Sequence, residues 1–233
     1  ITSDKSYKNL EIKRGYKESD ILGGKDPYSA SKASAELVIQ SYISSFFPLK
    51  KTKTLIAVAR AGNVIGGGDW SLNRLIPDCV KSWSKNKKVL IRNPKSTRPW
   101  QHVLESVGGY LLLASSLQKN KKLHGEAFNF GPNFATNYNV LFLVRTMRKY
   151  WKKVSWKIEK KNKSNFFESS LLKLNCNKAK NILKWRCILT LNETISLVAN
   201  WYKKYYSDSK KIQETTFNQI KEYEKLLIKR LTK

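Results

Sequence analysis

The 233-residue chain is long enough to bury a sizeable core, and 41% hydrophobic residues is a globular rather than a disordered content. No apolar run reaches the roughly 18 residues that argue for a membrane span, so a membrane location is not expected. The formal charge of +28 comes mostly from scattered lysines, without the arginine-led contacts or recognition motifs of a nucleic-acid reader, so nucleic acid is not expected as a partner.

The chain opens on Ile1 at what reads as the end of a buried strand, which predicts that an N-terminal part is missing. Tyr7–Asp26 reads as a polar loop. Pro27 sits at a helix start and is followed by helix formers to about Phe46. Thr54–Ala61 is a compact apolar run, as expected of a buried strand. Gly66–Gly68 marks a loop, Leu72–Lys85 a helix, and Val89–Arg92 a short strand. His102–Leu117 carries helical spacing, and Ala127–Phe130 is another short buried strand. Tyr138–Tyr150, Lys178–Leu183 and Leu191–Tyr205 read as helices, followed by a polar, helical tail from about Ser209. Strands alternating with helices predict an α/β layer fold.

Cysteines 79, 176 and 187 are odd in number and widely spaced, and only two histidines are present. They match neither a disulfide framework nor a metal site, which fits a reducing cytoplasm.

Tyr28 and Lys32 form a Tyr-x-x-x-Lys at the front of the first helix. A spacing of four puts both side chains on one helical face. An ammonium beside a phenol favours the phenolate, which makes tyrosine usable as an acid or base near neutral pH. Taken alone the pattern is weak, because Tyr and Lys are abundant here. Its surroundings are specific. Thr2-Ser3-Asp4-Lys5 lies upstream, and Gly23-Gly24-Lys25-Asp26-Pro27 directly precedes Tyr28. Arg60-Ala61-Gly62-Asn63, Gly66-Gly67-Gly68-Asp69-Trp70, Arg98-Pro99-Trp100-Gln101-His102-Val103 and Phe128-Asn129-Phe130-Gly131-Pro132 follow in order.

In that order these segments resemble the CDP-glucose 4,6-dehydratases, a branch of the NAD-dependent epimerase/dehydratase family of extended short-chain dehydrogenases/reductases. The resemblance runs to about Tyr205. It implies the C-terminal part of a Rossmann-type doubly wound parallel sheet plus a smaller α/β substrate-binding domain. Residues 1–62 would complete the NAD-binding domain, and 63–233 would mostly bind the sugar nucleotide, with about 88–130 returning to the Rossmann sheet. The family's Gly-rich pyrophosphate turn would lie upstream of Ile1.

The resemblance also implies roles. Ser3, Tyr28 and Lys32 match the Ser/Thr–Tyr–Lys triad, with Tyr28 taking the sugar 4-hydroxyl proton and Lys32 holding the nicotinamide ribose. Asp4 matches the acid that protonates the departing 6-hydroxyl, and Lys5 stands where related enzymes place the C5 base. Asn63, Arg98 and Asn129 match substrate-binding positions, Arg98 suiting a diphosphate through its bidentate guanidinium. Glu168 is a further, weaker match in a stretch more basic than the family pattern. The expected activity is NAD-dependent conversion of CDP-glucose to its 4-keto-6-deoxy derivative by a cytoplasmic homodimer in polysaccharide precursor synthesis, with no metal. Two alternatives stay open: a related nucleotide-sugar epimerase, which needs no Asp4–Lys5 pair, and a non-catalytic basic, anion-binding protein on the same fold. His102, Trp100 and Trp185 are read as packing residues.

Overall fold

The computed structural model describes residues 1–132, 138–159 and 172–231. In chain order the elements begin with β1 (Thr2–Ser3), α1 (Pro27–Phe46), β2 (Val58–Ala61), β3 (Val64–Ile65) and α2 (Leu75–Ser84). Then come β4 (Val89–Ile91), β5 (Thr97–Arg98), β6 (Gln101–His102), α3 (Val103–Lys119) and β7 (Ala127–Phe130). The last are β8 (Tyr138–Asn139), α4 (Val140–Tyr150), β9 (Trp156–Ile158), α5 (Leu191–Ser207) and α6 (Ile212–Leu231). Within the described residues, one compact unit comprises 1–64, 105–132 and 172–187. The other comprises 65–104, 138–159 and 188–231. Each unit is thus built from three separated stretches of the described residues.

The first unit is built on the parallel sheet β1-β2-β7, with Thr2 opposite Arg60 and Arg60 opposite Asn129. Central β2 is buried along its whole length, as its unbroken apolar approach predicts. It begins at Val58 and not Thr54, because the preceding residues bond to a turn instead of a ladder. Ile56 N donates to His124 Nδ1 at 3.0 Å, and its carbonyl accepts from Gly125 N at 2.8 Å. Phe128, Phe130, Leu113 and Trp185 form the core beside the sheet. A smaller cluster of Tyr7, Tyr16, Leu172 and Leu174 closes the loop side, with Tyr7 and Tyr16 stacked at 5.1 Å.

The second unit packs α2, α4 and α5 around Trp83, Met147, Val198 and Tyr202, beside the parallel pair β4-β9. Asn73 adopts a left-handed φ of 59°, which holds the start of α2 back to Leu75 rather than Leu72. Residues 138–139 pair with β5 instead of opening α4, and Asn139 then caps that helix by accepting from Phe142 N at 2.8 Å. Thr190 and Glu193 form a reciprocal capping box at the head of α5. The glycine loop lies against α5: a Cβ on Gly67 would sit 2.1 Å from Trp201 Cδ2, so only glycine permits this approach. The Tyr202 hydroxyl accepts from Asp69 N at 3.1 Å and donates to Asp69 O at 2.8 Å, tying down the end of the loop.

Trp100 and Trp185 are buried, as the sequence reading expects. The three cysteines are free, and burial pushes the Cys176 thiol up to about 12. Among the described residues no His/Cys/Asp/Glu cluster could hold a metal ion, and no helix is long and apolar enough to cross a membrane. Glu168 lies outside the described residues, as does most of the basic stretch around it.

Candidate active site

The head of α1 is set by local chemistry. Asp26 is the N-cap, accepting from Ser29 N at 3.0 Å and from the Ser29 hydroxyl at 2.6 Å, and Pro27 fills the first helical position. These hydrogen bonds from Ser29, with a contribution from the Lys5 charge, hold the Asp26 carboxyl below the usual carboxylate range. Gly24 lies against the same turn. A Cβ there would come within 2.3 Å of Ala30 N, so the close approach of this loop to the first turn of the helix requires glycine. Tyr28 is thereby fixed in the first turn, the residue 53% exposed. Lys32 follows one turn later, its Nζ 5.5 Å from the Tyr28 ring centroid. The i, i+4 spacing thus places the ammonium beside the phenol.

The second part of the site is the turn after β1. Asp4–Ser6 forms one turn of 3-10 helix packed on α1, with Ser3 as its N-cap. Ser3 Oγ accepts from Lys5 N at 3.2 Å and donates to Asp4 Oδ1 at 3.0 Å. Ser6 Oγ donates to the Ser3 carbonyl at 2.8 Å. Asp4 is only 2% exposed, whereas Ser3 and Lys5 are half-buried. One helix therefore carries a phenol and an ammonium, and the turn packed on it carries a hydroxyl, a carboxylate and an amine. Such a set can donate and accept protons at several atoms of one ligand.

The other sequence-selected positions differ in setting. Asn63 follows β2, half-buried, and its Nδ2 has no hydrogen-bond partner among the described residues. Arg98, in the second unit, is half-buried on β5 and donates from Nη1 to the Thr97 carbonyl at 2.8 Å. Asn129 is fully buried and its side chain is engaged within the protein. Its Nδ2 donates to the carbonyls of Tyr16 at 2.9 Å and Asn175 at 3.1 Å, and its Oδ1 accepts from the Tyr7 hydroxyl at 2.8 Å.

Asn129 is one end of a network that sequence reasoning missed. Glu36 on α1, 1% exposed, accepts from Arg60 Nε at 2.8 Å and from Arg60 Nη2, and from Thr2 Oγ1 at 2.6 Å. Arg60 Nη1 donates to the Tyr7 hydroxyl at 2.7 Å and to the Glu18 carbonyl at 3.1 Å. Burial works against the Arg60 charge, but Glu36 and Tyr7, through their hydrogen bonds and charge, together more than offset it and raise the Arg60 pKa. Burial likewise raises that of Tyr7, beyond what the Arg60 charge removes. The one signal in sequence was Glu36 itself, four residues beyond Lys32 and hence on nearly the same face of α1.

His102 lies in the second unit, 2% exposed. Its Nδ1 accepts from Leu104 N at 3.3 Å, while Nε2 has no partner among the described residues. Burial lowers its pKa from 6.5 to about 4. Between those values the unfolded chain binds the proton and the folded one refuses it. Stability should be full above pH 6.5 and fall as the pH drops toward 4, by roughly 3 kcal/mol at about 1.4 kcal/mol per pH unit. Urea denaturation across this window should show the slope, and His102→Gln should flatten it. An equal slope in the variant would assign the loss to other groups.

A family model described as GDP-mannose 4,6 dehydratase matches residues 1–198. The CDP-glucose 4,6-dehydratase of Salmonella typhimurium (strain LT2) is 44% identical over 209 residues, covering 88% of this chain and 58% of that protein. The UDP-glucose 4-epimerase of Mycoplasma pneumoniae is 24% identical over 190 residues, 78% of this chain and 55% of that one. In fold, the crystal structure of dTDP-glucose 4,6-dehydratase from Bacillus anthracis in complex with NAD matches with a TM-score of 0.70 at 22% identity. That match covers 91% of this chain and 63% of that structure. The chain thus spans less than two thirds of the length of these relatives. With the turn after β1, the Tyr28–Lys32 helix head and the parallel sheet all inside the matched range, the chain belongs to the GDP-mannose 4,6 dehydratase family of α/β, Rossmann-type proteins.

Proposed function

We propose that this chain carries the catalytic residues of an NAD-dependent CDP-glucose 4,6-dehydratase. The observation that carries the reading is the Ser3-Asp4-Lys5 turn packed on the helix that presents Tyr28 and Lys32. The 44% identity to a CDP-glucose 4,6-dehydratase supports the choice of substrate.

The residues present fit the cofactor on one side. The half-exposed phenol and the ammonium 5.5 Å from its ring are open to a ligand, Lys32 for a ribose hydroxyl and Tyr28 for the reacting oxygen. When bound, NAD would supply a reversible hydride carrier, holding the hydride from sugar carbon 4 until it is given back at carbon 6 after water has left, so the sequence of steps involves no net oxidation. Tyr28 accepts the proton of the 4-hydroxyl while Ser3 hydrogen-bonds the same oxygen. The resulting ketone acidifies the proton on C5, and Lys5, acting as the free amine after giving up its own proton, removes it. Asp4, one residue away, protonates the departing 6-hydroxyl so that it leaves as water. Asn63 offers its amide hydrogens to the sugar, Arg98 pairs with the diphosphate, and Asn129 acts through the shape of the loop it holds. Exposed apolar residues Leu37, Val38, Tyr42 and Phe46 on α1 favour a homodimer.

The test is turnover by the full-length protein of CDP-glucose against the dTDP-, GDP- and UDP-linked sugars, with products weighed by mass spectrometry. Loss of one water from CDP-glucose alone is expected, from a dimer in sedimentation. Dehydration of another nucleotide sugar would overturn the substrate, epimerisation without water loss would overturn the reaction, and a stable monomer would remove the dimer.

A further inference from the structure

We propose that Glu36 and Arg60 are positioning residues that lock the Ser3–Ser6 turn and the Tyr28–Lys32 face of α1 into one frame. The turn is held on both sides by the same charge pair. Thr2, directly before it, donates to Glu36 Oε1 at 2.6 Å, and Tyr7, directly after it, accepts from Arg60 Nη1 at 2.7 Å. Glu36 also belongs to α1. At 3.6 residues per turn, Tyr28, Lys32 and Glu36 each advance about 40° around the helix, and about 12 Å separates the first from the last along its axis. Rotation or sliding of α1 would break the Glu36 bonds, and a shift of the turn would break them from the other side.

Every donor and acceptor in the network has a fixed role, with Glu36 only accepting and Arg60 only donating. Thr2 and Arg60 donate to Glu36, Arg60 donates to Tyr7, Tyr7 to Asn129, and Asn129 to the carbonyls of Tyr16 and Asn175. No donor in this series can be reversed, so the geometry has one solution. A need for stability alone does not account for it, because an apolar pair of similar volume in place of a buried ion pair is often neutral or stabilising. A charge pair that joins a catalytic turn, a catalytic helix and two strands is explained by the specificity of their placement.

The proposal deepens the dehydratase reading, and only its activity arm rests on that reading. Thr2→Val removes one hydroxyl and leaves the ion pair, whereas Thr2→Ser restores the donor. In the unliganded protein, Thr2→Val should speed hydrogen exchange on the order of tenfold at two separated places, the Lys5 and Tyr7 amides and the Ser29 and Ala30 amides, and Thr2→Ser should reverse both. In the full-length enzyme Thr2→Val should lower kcat about tenfold with KM nearly constant, the split left by an interaction that places groups in the transition state. The double change Glu36→Leu with Arg60→Met should lower kcat further while the protein still melts cooperatively. If the double variant does not fold, the Thr2 pair decides. Faster exchange confined to residues beside Thr2, or equal kcat for valine and serine, would overturn the proposal. A wild-type enzyme inactive on CDP-glucose would remove the dehydratase reading and leave the exchange result to judge the frame.

Discussion

Tyr28→Phe is expected to lower turnover of CDP-glucose by the full-length enzyme about 10²–10⁴-fold, the usual contribution of a positioned general acid–base group. The variant loses only an oxygen. The residue is already 53% exposed, and the cap made by Asp26 and Ser29 does not involve the hydroxyl. Folding should therefore be unchanged within a few tenths of a kcal/mol, as for surface substitutions generally. Rapid mixing should show no absorbance rise at the reduced-nicotinamide band, because the first step of the reaction fails. A normal rise would take Tyr28 out of the first step.

Lys5→Ala should produce a different defect of comparable size. In the proposed mechanism the first oxidation does not use Lys5, so the absorbance rise should persist, while removal of the C5 proton should stop and little dehydrated product be released. Deuterium exchange at C5, measured on recovered sugar, should be lost. Because Lys5 also contributes to holding Asp26 ionised, a melting curve belongs beside the kinetics. The larger effect on Asp26 comes from Ser29, so the helix head should survive the change. Normal C5 exchange in the variant would exclude Lys5 as the base. The pair of phenotypes also separates dehydration from epimerisation, which has no elimination for position 5 to serve.

Both substitutions probe positions that were legible because their signals are local. Asp26, Pro27 and the Tyr28–Lys32 spacing lie within seven consecutive residues, and α1 spans Pro27–Phe46 as the sequence reading expects. β7 was legible for the same reason, as a short apolar run closed by Gly131 and Pro132. The errors fall where local pattern competes with a partner elsewhere. The start of β2 moves to Val58 because residues near position 55 bond to the 124–125 turn. Residues 138–139 leave the helical pattern because β5 offers them a strand partner.

The sequence by itself determined the family, the α/β class and the helix that carries Tyr28 and Lys32. Each of these is written in contiguous residues whose capping, spacing and polarity act over a few ångströms. Only the tertiary structure decided that Glu36 meets Arg60, 24 positions away, and that Tyr7 meets Asn129, 122 positions away. Only it decided how the chain divides between two units, each built from three separated stretches of the described residues. Those pairings arise because buried polar groups must find partners wherever the sheet brings them, and sheet register sets which residues meet. Asn129 shows the difference most directly. In sequence it is marked only by its place at a strand end, and in the fold its amide bonds to Tyr7, Tyr16 and Asn175.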